Sequence, residues 1–413
     1  MQYCHEFLAA LSRRAGGSYY LFDTERFRSN FLGFRQALRR YVSCAEVAYA
    51  FKANYMPAIG EILRDEHGMG EVVSRFEYDV ASRYLDPERI IFNGPVKRKE
   101  DLRYALTRGS HVNLDAFSEI DQLRELVGEG GAWRVGLRIC FPHGEGTSRF
   151  GFHCDNGELN QALNALAKLP GVEVNGLHCH FSTRDRRAED FALRVERLMA
   201  VAKRLACRYS IKTINIGGGF FGSLPEALRQ GFSVPIPDAQ AYAAAIGKAF
   251  STGLTSEELK LIAEPGIALV GDTMSLVAEV IEVRERFGSL HAVIDTSVNA
   301  VNPTNSRLKS PCFSITKCRR KKRVSRYRLV GNTCMEHDVI DSDFTGSLAS
   351  GDFIMFANRG AYSINYTPAF ITAPPAIFDL QGNLLKAADN SDSILSTYRT
   401  DDSRVVTIQK ACP

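Results

Sequence analysis

The 413-residue sequence has no apolar run as long as the roughly 18 residues that a membrane-spanning helix requires. Its formal net charge is only +4, which is too small to indicate a nucleic acid as partner. Residues 1–17 carry charges and a histidine within their apolar stretch, unlike a secretory signal. Neither an internal repeat nor a low-complexity tract is present. These absences leave an ordinary globular protein.

The sequence also lacks the cysteine spacing of a metal or redox site. Ten cysteines occur, but none forms a close pair of the CxxC type. In so long a chain they do not indicate a disulfide framework either. We interpret them as reduced thiols, most of them buried, and we expect a cytoplasmic protein without a metal site.

Eight short apolar runs, separated by helix-length segments, are spaced as in a (β/α)8 TIM barrel. Strands of such a barrel are buried on both faces and therefore form nearly continuous apolar runs. The predicted strands are Glu46–Lys52, Glu71–Ser74, Arg89–Asn93, His111–Asp115, Trp133–Ile139, Val174–Phe181, Lys212–Gly217 and Lys260–Glu264. One barrel uses roughly 250 residues, so the sequence predicts an α/β protein with a second domain.

The character of the sequence changes after the eighth strand. From about Asp272 onward apolar and polar residues alternate, as in Ser275–Val283. Short strands of this kind predict a C-terminal antiparallel β-barrel or sandwich, to which the amino-terminal residues are expected to add a strand. We therefore expect a barrel domain at 24–270 and a β domain made of 1–23 and 271–413.

One segment of the second domain, Ser306–Ser325, is interpreted as an exposed loop. It contains the basic run Arg319–Arg323. Such a run would suit docking of an acidic carrier protein, although charge runs are more often solvated faces.

Polar residues end the predicted barrel strands, and the active sites of such barrels lie at this rim. These residues are Lys52, Ser74, Asn93, Asp115, His180, Gly217–Gly219 and Glu264. So many polar groups at one rim predict an enzyme.

Lys52 ends the first predicted barrel strand. Burial would lower the pKa of its ammonium group and prepare the amine to form a Schiff base with an aldehyde such as pyridoxal phosphate. A lone lysine at a barrel rim more often simply places its ammonium group in solvent. Here the neighbouring residues favour the reactive interpretation.

Three neighbouring features suit that cofactor. Gly217–Gly219 follow the seventh strand, where such barrels bind phosphate, and Glu264 ends the eighth, where an acid would face a protonated pyridine nitrogen. His180 would lie flat against the ring. For His178 we favour a hydrogen-bonded core residue. A metal bound by both histidines is disfavoured, because no further ligands are evident.

With these residues in place, the chain resembles the fold-type III pyridoxal-phosphate decarboxylases. That family includes the diaminopimelate, ornithine and arginine decarboxylases, and its barrel is related to that of alanine racemase. The resemblance covers nearly the whole chain and includes the segments Ala50–Asn54, Val73–Glu77, Arg89–Gly94, Ser148–Gly151, Gly176–His180, Gly217–Phe220, Ala263–Gly266, Gly331–Asp338 and Gly360–Tyr362.

The resemblance implies that Lys52 binds pyridoxal phosphate covalently, that His180 stacks on its ring and that Glu264 pairs with its nitrogen. Further cofactor-binding residues implied by it are Thr183, Gly218, Gly219, Gly266 and Tyr362. It also implies a homodimer with shared active sites, in which Cys334 reaches the partner's site and protonates the decarboxylated carbon. The alternative for Cys334 is a buried small residue.

The chain departs from the family pattern at two places. Most relatives carry an arginine where Ile267 stands, and Arg184 or Arg186 are candidates to replace its charge. After the cysteine, relatives use an acid to recognise the far end of the substrate, whereas Met335 stands here, with Glu336 beside it. A thioether cannot bind a distal ammonium group, so recognition of ordinary ornithine or lysine is not expected.

We therefore expect pyridoxal-phosphate-dependent α-decarboxylation of an amino acid or amino-acid conjugate in a specialised pathway, such as siderophore or antibiotic assembly. Substrate contacts are expected from Arg138, Arg149, Asp295, Met335 and Glu336. Three alternatives stay open: a diaminopimelate or basic amino-acid decarboxylase, a racemase, which would need a second base opposite Lys52, and a catalytically inactive relative.

Overall fold

The computed structural model describes residues 3–127, 131–143, 148–251, 259–306, 308–317 and 324–398. Within them the strands are β1 (Tyr19–Phe22), β2 (Glu46–Ala50), β3 (Met69–Val72), β4 (Ile90–Phe92), β5 (His111–Leu114), β6 (Trp133–Cys140), β7 (Phe152–His153), β8 (Val172–His178), β9 (Thr213–Asn215), β10 (Lys260–Ala263), β11 (Met274–Arg286), β12 (Ser289–Ile294), β13 (Cys312–Ile315), β14 (Ser325–Val330), β15 (Val339–Gly346), β16 (Phe353–Phe356), β17 (Ala376–Asp379) and β18 (Leu384–Lys386).

The helices of the same residues are α1 (His5–Ala15), α2 (Thr24–Arg39), α3 (Pro57–Asp65), α4 (Arg75–Ala81), α5 (Lys99–Thr107), α6 (Phe117–Val127), α7 (Glu158–Leu166), α8 (Ala188–Leu205), α9 (Glu226–Arg229), α10 (Ala239–Ser251), α11 (Ile267–Val270), α12 (Val298–Val301) and α13 (Ser391–Leu395). Short 3-10 helices occupy Phe51–Ala53, Pro87–Arg89 and Gly271–Thr273. Among the described helices, none combines the length and hydropathy needed to cross a membrane.

Eight parallel strands close into the predicted barrel. Their order is β2-β3-β4-β5-β6-β8-β9-β10, and β10 pairs back onto β2. Residues such as Tyr49, Ile91 and Ile262 are almost fully buried, as expected for strands covered on both faces. The first barrel strand ends at Ala50, two residues earlier than predicted, because Phe51–Ala53 turns into a 3-10 helix that carries the lysine.

The helices cover the barrel with amphipathic faces. Helix α2 begins after Asp23, whose side chain accepts a hydrogen bond from the Arg26 N–H at 2.8 Å. It buries Phe27, Phe31 and Phe34 at three- and four-residue spacing. Each such side chain contributes about 1.5–3 kcal/mol when it is removed from water.

The second sheet contains nine strands. Seven of them follow the order β15-β14-β12-β11-β1-β17-β18, while β16 pairs with β11 and β13 pairs with β16. Its amino-terminal member β1 pairs antiparallel with β11 and parallel with β17, so the predicted amino-terminal strand is present. Two pairings, β1–β17 and β12–β14, are parallel. An alternating sequence indicates a half-buried strand but carries no information on its direction, so the sheet is mixed where an antiparallel one was predicted.

The predicted exposed loop Ser306–Ser325 is wrong in part. Cys312–Ile315 forms strand β13, which pairs antiparallel with β16. The basic run Arg319–Arg323 lies outside the described residues. We propose the domain boundaries expected from the sequence, namely a barrel at 24–270 and a β domain made of 1–23 and 271–413.

Candidate active site

Lys52 lies on the 3-10 helix that directly follows β2, at the carboxyl end of the barrel. Its backbone carbonyl accepts a hydrogen bond from Asn365 Nδ2 at 2.7 Å, and its Nζ donates to the Glu71 carboxylate. Burial lowers the pKa of Lys52, but Glu71 and Glu264 outweigh that effect and raise it. The predicted lowering of this pKa is therefore wrong for the cofactor-free protein, because it left out the two acids.

Glu71 was missed as a functional residue by the sequence reasoning. It lies on β3, is 1% exposed and pairs with Lys52. Burial raises the pKa of its carboxyl group to about 7, against the opposing effect of the lysine. A signal was available, because an acid inside an otherwise apolar barrel strand requires a partner.

Glu264 lies one residue beyond β10 and is 4% exposed. Its Oε1 accepts hydrogen bonds from Asn93 Nδ2 at 2.5 Å and Asn215 Nδ2 at 2.6 Å. Asn113 Nδ2 in turn donates to Asn93 Oδ1 at 2.7 Å. Burial opposes ionisation, but His178, Lys52 and the Asn215 amide lower the pKa of Glu264 to about 2. The carboxylate is therefore ionised at neutral pH.

His178 is buried in the barrel, as predicted, but it is not hydrogen-bonded. Neither ring nitrogen has a partner among the described residues, and Nε2 lies 3.6 Å from Glu264 Oε2. Burial lowers the pKa of His178, while the Glu264 carboxylate opposes that shift. Both asparagine amides donate to Glu264 Oε1, so the other carboxylate oxygen, Oε2, is the one that faces His178.

His180 is fixed by the glycine turn that follows β9. The Gly218 N–H donates to His180 Nδ1 at 2.9 Å, which places the ring proton on Nε2. Burial, together with the charges of Arg194 and Lys52, lowers the pKa of His180 well below its usual value. A neutral, oriented imidazole at this position fits the predicted contact with a cofactor ring.

The glycines of this turn are required by space as well as by backbone conformation. Gly217 has a φ of +66°, and a Cβ there would lie 2.6 Å from the His180 Cβ. A Cβ at Gly218 would lie 2.3 Å from the Glu264 carbonyl oxygen. Gly219 has a φ of +99°. Only glycine allows the chain to approach the His180 side chain and the Glu264 backbone so closely.

Arg194, on α8, supports the turn from behind and was also missed. It is 1% exposed, and its Nη1 donates to the carbonyl oxygens of Ile216 and Gly218, both at 2.9 Å. Its Nη2 donates to the Phe181 carbonyl oxygen. Burial lowers the pKa of this guanidinium to about 10, so it remains charged beside the turn.

Tyr362 comes from the segment between β16 and β17 and joins the second sheet to the barrel. Its N–H donates to the Ala53 carbonyl oxygen at 2.8 Å. Burial raises the pKa of its hydroxyl group, while the charge of Lys52 lowers it. The structure thus brings Tyr362 to Lys52. Gly266 packs against the same turn, since a Cβ there would lie 3.0 Å from the Ala53 Cβ.

The predicted phosphate role of Thr183 stays a prediction. Its hydroxyl group donates to Asp190 Oδ2 at 2.5 Å and accepts from the Arg186 N–H at 3.0 Å. Ser182 was not considered, yet its Oγ lies 3.6 Å from the place that a Cβ on Gly219 would take.

Two of the predicted substrate residues lie on the barrel. Arg138 is buried, pairs with Asp115 at 3.0 Å and donates to the His180 carbonyl oxygen at 3.3 Å. Arg149 is exposed. The guanidinium groups of Arg138 and Arg149 both lie over the Phe150 ring, 4.5 and 4.0 Å from its centre. Arg149 thus retains the more accessible charge.

The other predicted substrate residues lie in the second sheet. Asp295 Oδ1 accepts from the Glu279 N–H at 2.6 Å, and burial raises its pKa to about 7. Cys334 and Glu336 are exposed, and Met335 is half-buried. Among the described residues no hydrogen bond, ion pair or ring contact joins these four to Lys52, and their predicted roles stay predictions.

Residues 25–271 match the model of the family described as pyridoxal-dependent decarboxylase, pyridoxal binding domain. The chain belongs to this family. It is thus an amino-acid decarboxylase, a carboxy-lyase that depends on pyridoxal phosphate. The match contains the barrel and the residues just described around Lys52.

Curated relatives match nearly the whole chain. The diaminopimelate decarboxylase of Methanothermobacter thermautotrophicus is 26% identical over 381 residues, which cover 88% of this chain and 86% of that relative. The L-glutamyl-[BtrI acyl-carrier protein] decarboxylase of Niallia circulans is 23% identical over 433 residues, which cover 98% of each chain. Among solved structures, the diaminopimelate decarboxylase of M. jannaschii in complex with L-lysine has a TM-score of 0.84 at 22% identity and covers 95% of this chain and 94% of its own.

The residues of the site fit pyridoxal phosphate. Glu264 is an ionised, buried carboxylate that suits a protonated ring nitrogen, and His180 offers a neutral ring. The glycine turn has no room for side chains. The N–H groups of Gly217 and Gly218 donate to Asn215 Oδ1 and His180 Nδ1, which leaves that of Gly219 as the candidate among the three glycines to bind a phosphate. Lys52 would supply the amine for covalent attachment, with Tyr362 beside it.

Proposed function

We propose that this decarboxylase acts on an amino acid held in a conjugate, such as a carrier-protein thioester, within a specialised biosynthetic pathway. The observation that carries the proposal is the half-buried Met335, which follows Cys334 where relatives recognise the far end of the substrate with an acid. A substrate whose distal end is already joined to a carrier has no distal ammonium group to recognise. The end-to-end similarity to the carrier-protein decarboxylase of Niallia circulans supports this choice.

Bound pyridoxal phosphate supplies an electron sink for the electron pair left on the α-carbon when carbon dioxide departs. We propose that the Glu264 carboxylate would keep the ring nitrogen protonated. Its pKa of about 2 leaves the carboxylate negatively charged at neutral pH. His180 orients the ring from one side. Lys52 and Cys334 are the proposed proton donors to the α-carbon.

We further propose a homodimer in which each barrel site is completed by Cys334 of the partner subunit. Cys334 is exposed on its own chain and has no contact with Lys52 among the described residues. The turn that carries it is ordered by Asp338, which accepts from the N–H and hydroxyl groups of Thr333 at 3.1 and 2.6 Å. A rigid, exposed thiol suits delivery into a second subunit.

Mixing two inactive variants tests the shared site. Lys52→Ala and Cys334→Ala homodimers are each expected to lose decarboxylation. After subunit exchange, half of the dimers are mixed, and each of these has one intact site, so roughly a quarter of wild-type activity returns. Cys207→Ala, which removes another exposed thiol, is the matched control and keeps full activity. Mixtures without recovered activity would contradict the shared site.

The substrate proposal is tested with matched free and conjugated amino acids. The protein loaded with pyridoxal phosphate is incubated with free diaminopimelate, lysine, ornithine, arginine and glutamate, and with a carrier-protein thioester of glutamate that is joined through the side-chain carboxyl group, so that the α-amine and α-carboxylate stay free. Mass spectrometry then detects loss of one carbon dioxide, with Lys52→Ala as the blank. Turnover of the thioester alone supports the proposal.

Decarboxylation of free diaminopimelate is the second candidate function, favoured by the 26% identity to the Methanothermobacter relative. In that case free diaminopimelate would lose carbon dioxide and the thioester would not. The basic run Arg319–Arg323 adds a further test, since reversing its charges should slow turnover of a carrier-bound substrate and spare a free one. Equal effects on both substrates would remove the docking role.

A further inference from the structure

Arg186 is a half-buried cation at the edge of the cofactor site, with no anionic partner among the described residues. Its Nη1 is fully buried and has no hydrogen-bond partner among the described residues. Its guanidinium lies 4.6 Å from the centre of the Phe221 ring. An unpaired buried guanidinium costs free energy, so an anion that binds beside it gains more than it would in water.

The backbone of Arg186 is held in place by neighbouring side chains. Its φ is +46°, a conformation that residues with a Cβ rarely adopt, and its N–H donates to Thr183 Oγ1 at 3.0 Å. The Tyr242 hydroxyl donates to the Arg186 carbonyl oxygen at 2.7 Å and accepts from the Phe221 N–H at 3.3 Å. Tyr242 thus ties Arg186 to the chain that leaves the glycine turn.

The nearby acids do not account for the charge of Arg186. Asp185 pairs with Arg187 at 3.2 Å. Asp190 accepts from Thr183 at 2.5 Å and lies 3.2 Å from His143. The Arg186 guanidinium interacts electrostatically with two neutral hydroxyl groups, those of Tyr242 and Tyr362.

The Ile267 side chain itself supplies no cation. Ile267 begins α11 and lines the same small cavity as Tyr362 with an apolar side chain. Arg359 also lines this cavity, but its guanidinium already donates to backbone carbonyl oxygens. Arg184, two residues before Arg186, is exposed. Of these positions, only Arg186 combines a buried Nη1 that has no partner among the described residues with an electrostatic interaction with Tyr362.

We propose that Arg186 binds the phosphate group of the cofactor and so provides the charge that Ile267 cannot. Thr183 then acts as a positioning residue, which fixes the backbone of Arg186 and need not touch the phosphate itself. Phosphate binding by Arg186 does not depend on whether the substrate is free or conjugated.

The test compares two ligands that differ only in the phosphate. Apo protein is titrated with pyridoxal 5′-phosphate and with pyridoxal, and binding is followed by absorbance. Arg186→Gln is expected to weaken binding of the phosphorylated ligand by roughly 10- to 100-fold, the range for lost charge-assisted hydrogen bonds, and to leave pyridoxal affinity unchanged. Arg184→Gln, the matched exposed control, should change neither affinity.

Inorganic phosphate gives a second readout that does not depend on Schiff-base formation. Millimolar phosphate should raise the Tm of the apo wild type and of Arg184→Gln, while Arg186→Gln loses most of this shift. Arg186→Lys, which keeps the charge, should retain part of it. Equal loss of affinity for pyridoxal and its phosphate, or an unchanged phosphate response in Arg186→Gln, would overturn the proposal.

Discussion

Gly218 is the position at which a single methyl group should disturb the cofactor site most directly. A Cβ at Gly218 would lie 2.3 Å from the Glu264 carbonyl oxygen, far inside van der Waals contact. The obstacle is backbone, which cannot rotate away as a side chain can. The glycine also donates to His180 Nδ1 and accepts from Arg194 Nη1, both at 2.9 Å. Gly218→Ala therefore displaces a turn that hydrogen bonds hold to His180 and Arg194.

The magnitude follows from these contacts. Overpacking of a close-packed site costs about 1–3 kcal/mol, and one lost hydrogen bond adds about 0.5–1.5 kcal/mol. For a barrel of this size 1 kcal/mol corresponds to about 2 °C, so such a loss of unfolding free energy lowers the Tm by roughly 3–9 °C. Because the turn also orients His180, the affinity for pyridoxal phosphate should fall as well.

Thermal unfolding of the apo protein and titration with pyridoxal phosphate measure both effects. The matched control is Gly33→Ala, on the exposed face of α2, where a Cβ would meet no heavy atom within 4 Å. There alanine stabilises the helix by up to about 1 kcal/mol, so the Tm should stay equal or rise. If Gly218→Ala unfolds and binds cofactor as Gly33→Ala does, the steric argument is wrong.

Two further predictions concern the acids of the site. Glu71→Gln removes the main group that raises the Lys52 pKa and leaves the burial that lowers it, so attachment of pyridoxal phosphate to apo protein should reach its half-maximal rate at a lower pH. An unchanged midpoint in the pH–rate profile would contradict this. Asn215→Ala removes the 2.6 Å donor to Glu264, which should raise the pKa of that acid and reduce unfolding free energy by about 1.5–3 kcal/mol. Denaturant titration against the exposed control Asn164→Ala measures the loss, and equal stability of the two variants would refute it.

The local sequence was sufficient for the architecture of the barrel. Buried parallel strands must be apolar throughout, so eight apolar runs with helix-length spacers predicted the eight strands in their order. The polar groups just beyond them, such as Lys52 and Glu264, were expected at one rim because parallel strands end at a common edge. The strand ends shifted by up to three residues, since hydrophobicity does not report where hydrogen bonding stops.

What only the tertiary structure decided was which residues meet across the chain. Glu71 lies on β3 and Lys52 just beyond the neighbouring β2, and their pairing reversed the shift in the Lys52 pKa that burial alone predicts. The parallel pairing of β1 with β17 joins segments at opposite ends of the chain, and no local pattern encodes it. Arg184 and Arg186 are equivalent as sequence, but the fold exposes the first and buries the Nη1 atom of the second. Periodicity describes which face of an element is buried, whereas electrostatic partners depend on three-dimensional proximity, which only packing establishes.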